Sequence, residues 1–324
     1  MRDNTNKHPL EMRECFGRTL VELGEQYPNV VVLDADLNTS SKTVIFKKRF
    51  PDRFIQCGIA EQNMFGIAAG LATQGFIPFP STFAVFATKR ALDQISISIS
   101  YPRLNVKIPG SYAGVPTSRA GGSHNAVEDL ANMRAMPNMR VIDPGDNTEL
   151  RSCMFAMCAY HGPVYFRITR WTLPDILPAD YSFAWGKGAR LLEGGDVTLI
   201  GTGFLTGFCL QAAELLRVDG IDAEVLHMGC IKPIDADLIA ESAAKTGAVV
   251  TAENASVIGG LGSAVAEVVG ERAPAALRRV GVNDCFIDSG GIDELLEHYH
   301  MTPADIAAAA KDAIALRDRR RVTW

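Results

Sequence analysis

The sequence predicts an α/β protein with two doubly wound domains: a domain with a mainly parallel sheet, followed by a smaller α/β domain. Three observations support this fold class. Short runs rich in β-branched residues alternate with helical periodicity along most of the chain. Helical patterns separate most of these runs, as in a parallel sheet that is covered on both faces. The alternation stops between Trp171 and Trp185, where two prolines indicate a linker.

The first domain is predicted to begin with an amphipathic helix over residues 13–26 and a buried strand over residues 29–34. Strand-like runs follow at residues 53–57, 76–80, 104–109, 139–143 and 164–167. Helical patterns separate most of these runs, which is typical of parallel strands joined by crossover helices.

The second domain repeats this alternation. Strands are predicted at residues 196–201, 223–227 and 248–253, and helices at residues 208–217, 235–246, 263–270 and from Pro303 onward. The predicted domains therefore span residues 1–170 and 189–324, with a linker at residues 171–188.

Composition favours a soluble enzyme subunit of the cytoplasm. Of the 324 residues 47% are hydrophobic, which is ample for buried cores, and the net charge of −5 gives no reason to expect a nucleic-acid partner. No run approaches the roughly 18 apolar residues of a membrane span, and the first residues lack the apolar core of a secretory signal. The seven cysteines have no paired spacing and indicate reduced thiols.

Residues 58–64, with the sequence GIAEQNM, place the Glu61 carboxylate at a strand-to-helix turn. A glutamate there can simply complement the helix dipole, which stabilises by roughly 0.3–1 kcal/mol. The segment, however, resembles the signature of the pyrimidine-binding domain of transketolases and related thiamine diphosphate enzymes. In that family the glutamate contacts the aminopyrimidine ring and promotes the tautomer that activates the cofactor. The resemblance implies that Glu61 binds and activates thiamine diphosphate.

Two further segments are similar to cofactor motifs of this family. Residues 34–40, DADLNTS, resemble an Asp-Leu-x-x-Ser loop, which implies that Asp36 lies near the cofactor and that Ser40 helps to hold a sugar phosphate. Residues 80–86, PSTFAVF, resemble a Thr-Phe-x-x-Phe segment, which implies that Phe83 and Phe86 pack on the aminopyrimidine ring. Family members commonly have a tyrosine three residues later, but this chain has Lys89.

His124 lies in residues 121–129, GGSHNAVED, which are similar to the transketolase Thr-His-Gln-Pro-x-Glu motif. The resemblance implies that His124 hydrogen-bonds the carbonyl and hydroxyl oxygens of a ketose. An imidazole can donate to the oxygen that gains negative charge in the reaction. Arg13 and Arg170 match family positions that bind a sugar phosphate, a task for which the guanidinium fork is suited.

Two positions depart from the family pattern and concern the substrate. Tyr112 replaces the usual phosphate-binding histidine, and Ala120, beside Arg119, replaces a usual acidic residue. Tyr112 and Arg119 are therefore also candidate substrate-binding residues. The donor and acceptor sugars, and whether the substrate is phosphorylated, stay open.

The Gly-Asp-Gly motif with which this family binds magnesium and diphosphate is not found in the sequence. The chain resembles the C-terminal half of a single-chain transketolase, so we expect the C-terminal subunit of a split enzyme. Thiamine diphosphate and magnesium would be held with an N-terminal partner subunit, and no metal ligands are expected on this chain. The expected assembly is a homodimer alone and a heterotetramer with the partner.

The resulting hypothesis is a transketolase that transfers a two-carbon ketol unit from a ketose to an aldehyde. One alternative is the beta subunit of a 2-oxoacid dehydrogenase, which shares the domain order, the length and the glutamate motif. Another is a non-catalytic regulatory subunit, against which Glu61 and His124 both argue.

Overall fold

The computed structural model describes residues 10–322, with side chains to residue 319. It contains a seven-stranded and a five-stranded sheet, both mainly parallel and flanked by helices. The predicted fold class is therefore confirmed. Two large clusters of buried apolar residues pack on the sheets, and each cluster includes residues from both sheets.

The strands of the first half of the chain are β1 (Val30–Asp34), β2 (Phe54–Gln56), β3 (Ile77–Phe83), β4 (Lys107–Ser111), β5 (Arg140–Ile142) and β6 (Val164–Ile168). Their spatial order in the sheet is β5-β6-β4-β3-β1-β2, and they pair in parallel. All five residues of β1, β4 and β6 are buried. Such burial is expected for parallel strands that are covered on both faces of a sheet.

The helices of this half are α1 (Met12–Gln26), α2 (Asn38–Ser41), α3 (Val44–Arg49), α4 (Glu61–Thr73), α5 (Asp129–Ala135) and α6 (Asn147–Ala159). Further helical turns lie at Pro51–Arg53, Phe86–Arg90, Gln94–Ser100 and Val115–Ala120. Phe16 of α1 packs against Phe166 of β6, which also contacts Phe79 of β3, at centroid distances of 5.9 and 6.5 Å. These contacts pack the first half of α1 against the sheet.

The strands of the second sheet are β7 (Ala189–Leu192), β8 (Val197–Gly201), β9 (Ala223–His227), β11 (Ala248–Ser256) and β12 (Ala276–Val282). Their spatial order is β12-β11-β8-β9-β7. Only β7 pairs in an antiparallel manner. The helices of this half are α7 (Leu205–Val218), α8 (Ala236–Thr246), α9 (Leu261–Arg272), α10 (Ile292–His298) and α11 (Pro303–Val322).

A short strand from the second half completes the first sheet. Strand β10 (Cys230–Lys232) pairs antiparallel with β5, with Cys230 opposite Ile142. The first sheet therefore draws one strand from beyond residue 188. The domain bounds at residues 170 and 189 stay a prediction.

Four elements of the second half are absent from the sequence-based expectation: β7, β10, β12 and α10. β7 is only partly buried, β10 has three residues, and two arginines interrupt the apolar pattern of β12. None of these gives a strong periodic signal. Within residues 10–322, no helix combines the length and the apolar character needed to cross a bilayer.

Candidate active site

Glu61 is the first residue of α4 and follows a tight turn after β2. Gly58 in this turn has a φ of +68°, which glycine adopts without steric cost. The Glu61 residue is 2% exposed. Arg90, the last residue of the Phe86–Arg90 turn, donates from Nη1 to both carboxylate oxygens at 2.8 Å. Glu61 is thus a buried carboxylate in contact with one guanidinium.

A cavity of about 450 Å³ opens beside this pair, lined by Ile59, Ala60, Glu61, Gln62, Asn63 and Arg90. The Gln62 side chain donates to the Arg90 carbonyl at 3.2 Å and ties the turn to α4. The Arg90 guanidinium also lies over the Phe86 ring, 4.4 Å from its centroid. Arg90 therefore bridges the carboxylate and an aromatic ring.

Phe83, Phe86, Tyr112 and His124 form an aromatic cluster. The Phe83 ring stacks on Phe86 at a centroid distance of 5.8 Å and on Tyr112 at 4.2 Å. His124 meets the Phe86 ring edge-on at 5.4 Å and the Phe83 ring at 6.2 Å. The structure thus brings together four residues that the sequence singles out separately.

Two arginines flank Tyr112. Arg13 donates to the Tyr112 hydroxyl at 2.7 Å and to the Ser40 carbonyl at 3.2 Å. The Arg170 guanidinium lies 5.2 Å from the centroid of the Tyr112 ring. Burial disfavours the charge of Arg13, but hydrogen bonds to Glu11 and Tyr112 outweigh it and raise the pKa of Arg13. Two cations beside one phenol make this corner suited to an anion.

The loop between Tyr112 and His124 is held by the second half of the chain. The Ser118 hydroxyl donates to the Gly290 carbonyl at 2.9 Å, and the Ser289 hydroxyl donates to the Arg119 carbonyl at 2.6 Å. His124 Nδ1 shares a hydrogen bond of 2.9 Å with the Ser123 hydroxyl. Residues from both halves therefore position the loop that carries His124.

Two predicted residues stand apart from this arrangement. Asp36 is exposed, and its backbone N–H donates to the Gln56 side chain at 3.0 Å. Arg119 is also exposed. In the described part of the chain, no hydrogen bond or ring contact joins Asp36 or the Arg119 side chain to the aromatic cluster. Ser40 reaches Arg13 through its backbone carbonyl rather than its hydroxyl.

Sequence reasoning missed Arg90. Its only signal is a basic residue four positions after Phe86, which by itself reads as solvated surface. Lys89, at the position where the family commonly has a tyrosine, pairs with Glu128 at 2.5 Å and lies 5.4 Å from the centroid of the Phe286 ring. Lys89 thus links this turn to the second half of the chain.

A second set of charges, the Arg167 network, lies inside the molecule. Arg167 is 1% exposed and contacts Asp129 at 2.8 Å, Asp143 at 3.3 Å and the Asn254 carbonyl at 2.9 Å. Tyr165 also donates to Asp129, at 2.6 Å. Burial alone would lower the pKa of Arg167, but the two carboxylates raise it. The network joins β6 to β11 and therefore the two sheets.

Two more buried groups lie at the same junction. Both Glu253 oxygens accept backbone N–H groups at the start of α9, from Leu261 and Gly262, at 2.7 Å. Burial nevertheless raises the pKa of Glu253 to about 7. His227 of β9 and Glu149 of α6 share a hydrogen bond of 2.6 Å. These groups are enclosed by protein, whereas Glu61 lies at the wall of a cavity.

Two family models match the chain: the transketolase pyrimidine-binding domain over residues 8–175 and the transketolase C-terminal domain over residues 186–306. Together with the parallel sheets and the carboxylate at the start of α4, these matches define the class. The chain belongs to the transketolase family.

Two relatives of nearly the same length as this chain are named as transketolase subunits. The chain is 44% identical over 309 residues to the 6-deoxy-6-sulfo-D-fructose transketolase subunit SqwH of Clostridium sp. (strain MSTE9), covering 95% of this chain and 96% of that one. It is 36% identical over 303 residues to one of the subunits of the apulose-4-phosphate transketolase of Phocaeicola vulgatus, covering 93% and 97%.

A solved structure described as a split-gene transketolase in an inactive beta4 tetramer matches with a TM-score of 0.90 and 50% identity, covering 95% of this chain and 99% of that chain. The resemblance to a split transketolase subunit is therefore confirmed.

The family depends on thiamine diphosphate, and the residues beside the cavity fit its aminopyrimidine ring. The Arg90 guanidinium, a planar group with N–H donors, already lies against Phe86 and donates to Glu61. A planar ring with a donor nitrogen can make the same two contacts. At the same sheet edge, the buried amide of Asn125 has no hydrogen-bond partner among the described residues. Within residues 10–322 no group of three or more metal-ligating side chains occurs.

Proposed function

We propose that the chain is the C-terminal subunit of a two-subunit, thiamine diphosphate-dependent transketolase. It transfers a two-carbon ketol unit from a ketose to an aldehyde acceptor and is active only with its partner. The observation that carries this proposal is the buried Glu61 carboxylate beside the aromatic cluster, in a chain of the transketolase family.

Glu61 would hold the aminopyrimidine ring through a hydrogen bond to a ring nitrogen and share a proton with it. Phe83 and Phe86 would pack against the ring and exclude water from one side of it. When bound, thiamine diphosphate supplies the carbon nucleophile of the reaction. Asp36 would lie near the cofactor, at the exposed end of the loop after β1.

His124 would donate a hydrogen bond to the substrate oxygen that gains negative charge. Its edge-on contact with Phe86 limits the orientations of the imidazole. Its Nδ1 already bonds Ser123, which leaves Nε2 for the substrate.

The distal end of the sugar would carry a strong anion. Arg13 and Arg170 flank Tyr112 from two directions. Ser40 lies on α2, and Arg119 lies on the helical turn Val115–Ala120. One relative is named for a sulfonated ketose and another for a ketose phosphate. Either terminal group suits a pair of guanidinium forks, so we propose a ketose with a terminal phosphate or sulfonate as substrate.

The partner would be an N-terminal transketolase subunit that provides the magnesium and diphosphate ligands. We propose a homodimer of this chain within a heterotetramer. Ile59, Ile97 and Tyr101 are 77%, 61% and 80% exposed, and large apolar side chains of this kind are often covered in an assembly. All seven cysteines are unpaired, which fits a reducing compartment such as the cytoplasm.

The test is reconstitution with the product of a neighbouring gene that carries a Gly-Asp-Gly motif. The mixed proteins, with thiamine diphosphate and magnesium, are assayed for ketol transfer from ketose phosphates and sulfonated ketoses. We expect transfer by the mixture and none by either protein alone.

Two results would contradict the proposal. Activity on pyruvate with a lipoyl acceptor, and none on ketoses, would identify a 2-oxoacid dehydrogenase subunit. Failure of the assembled complex to bind thiamine diphosphate would identify a regulatory subunit.

A further inference from the structure

The contact between Arg90 and Glu61 occupies the place that the proposed function assigns to the aminopyrimidine ring. The guanidinium lies between the carboxylate and the Phe86 ring, with Nη1 at 2.8 Å from both Glu61 oxygens and Cζ at 4.4 Å from the ring centroid. A planar ring cannot stack on the same face of Phe86 and bond the same carboxylate while the guanidinium is there.

The contact also opposes the chemistry assigned to Glu61. A guanidinium beside a carboxylate favours its charged form. A carboxyl group that shares a proton with a ring nitrogen must be able to hold that proton. Glu61 therefore cannot act on the ring while Arg90 remains bound to it.

Arg90 is free to leave. Its side chain is 47% exposed, whereas that of Glu61 is 2% exposed. The backbone of the turn is held to α4 through Gln62, so only the side chain needs to move. A long cationic side chain can turn its head group into water at small cost.

No other charged group on the elements around α4 contacts Glu61 among the described residues. Asp34, at the end of β1, accepts hydrogen bonds from Leu37 and Thr43. Lys89 pairs with Glu128, and Asp93 is exposed. Among the described residues, Arg90 is thus the charged group in contact with Glu61.

We propose that Arg90 is a positioning residue that competes with the aminopyrimidine ring for Glu61. Arg90 keeps the buried carboxylate paired until the ring displaces it, and its departure allows Glu61 to take up a proton. The pairing avoids an uncompensated buried charge, which is strongly destabilising. This inference rests on the proposed function, and it adds a competitor for the cofactor within the chain itself.

The test measures cofactor binding by isothermal titration calorimetry. The probe is thiamine diphosphate with magnesium for the chain assembled with its partner, and thiamine for the full chain alone. Titrations in two buffers of different ionisation enthalpy count the protons taken up on binding. The variants are Arg90→Gln and Arg90→Met, which remove the charge, and Arg90→Lys, which keeps it.

We expect the two neutral variants to bind both probes about three- to tenfold more tightly, because no half-exposed ion pair has to be broken. They should also take up fewer protons, because the neutral form of Glu61 is no longer disfavoured. Arg90→Lys should resemble the wild type, since a single nitrogen of Arg90 makes both contacts.

A matched control is Arg49→Gln. Arg49 is also exposed, pairs with Glu25 at 3.4 Å and lies 4.8 Å from the Phe50 ring centroid, but it is on α3. The Arg49→Gln substitution should leave both the affinity for the probes and the number of protons taken up unchanged. Thermal unfolding of each variant checks that the fold survives.

Weaker or unchanged binding by Arg90→Gln and Arg90→Met, with an unchanged proton count, would overturn the inference. In that case the wild-type complex still binds the cofactor and transfers the ketol unit, so the proposed function stands. If the wild-type complex does neither, the proposed function fails first, and the inference fails with it.

Discussion

Two regions of the molecule contain several charged side chains, and they differ in how many protein partners these side chains have. In the Arg167 network, every charged group has at least one protein partner and lies within the core. Around Glu61, a buried carboxylate is met by a single half-exposed arginine at the wall of a cavity. Charge density therefore does not by itself mark a functional site. A buried charge whose partner can leave is the more informative sign.

The difference also separates stability from activity. Removing a partner inside the core leaves an uncompensated charge, so the folded state is penalised. Removing Glu61 leaves Arg90 with solvent as an alternative partner, so the fold is expected to persist. Substitutions in the two regions should therefore affect different measurements.

The largest effect on activity is expected for Glu61→Gln. The amide has nearly the same size but cannot share a proton, so ketol transfer by the assembled enzyme should fall about 10²–10⁴-fold. The matched control is Glu14→Gln, which changes another glutamate in a first helical turn. If Glu61 merely complemented the helix dipole, both variants would lose at most ~1 kcal/mol of stability and keep full turnover.

Arg167→Met should have the largest effect on stability. It leaves Asp129 and Asp143 buried without a cation, and the free energy of unfolding should fall by about 3–5 kcal/mol in urea titrations. Arg151→Met removes an exposed arginine that pairs with Glu22 and should cost no more than about 1 kcal/mol. Equal losses in the two variants would remove the distinction between the regions.

His124→Ala should lower kcat of the assembled enzyme about 10²–10³-fold, because one hydrogen-bond donor to the developing charge is lost. Cofactor affinity should hardly change, since the proposed contact is to the sugar. The exposed His161 serves as the control in His161→Ala. Kinetics within a factor of two of the wild type would exclude His124 from the mechanism.

A further prediction concerns the pH dependence of stability. Burial raises the pKa of Glu253 from 4.5 to about 7, so between these values the folded chain retains a proton that the unfolded chain has released. The Glu253 contribution to stability is therefore present below pH 4.5 and is lost as the pH rises through 7, with a slope of at most about 1.4 kcal/mol per pH unit.

Comparison with Glu253→Gln isolates this contribution. The stability of the wild type relative to the variant, from urea titrations between pH 4.5 and 8, should decrease with rising pH and level off above 7. A constant difference across this range would show that Glu253 titrates alike in the folded and unfolded chain.

The fold could be predicted from the sequence wherever strands are fully buried. Strand β9 is found at residues 223–227, as predicted, and all five of its residues are buried. Strands β7 and β12 could not be predicted in this way, because partial exposure and two arginines hide their periodicity. The short strand β10 exists only because β5 provides a pairing edge.

The candidate site could likewise be predicted from the sequence only in part. The resemblance selects Phe83, Phe86, Tyr112 and His124, but only the folded sheet shows that their rings touch. Arg90 belongs to no motif, and its pairing with Glu61 spans 29 positions of sequence. Side-chain pairs of this kind depend on tertiary structure and leave no local pattern. The roles of the site residues stay predictions.

Strand β10 limits where the chain could be cut into two separate proteins. A protein cut after the first six strands would leave β5 as an open sheet edge, and such edges readily pair with other chains. The Arg167 network would at the same time lose its acceptor on Asn254. Recombination that exchanges one half of the chain for that of a distant relative would have to preserve both connections. The two halves are therefore expected to be inherited as one unit.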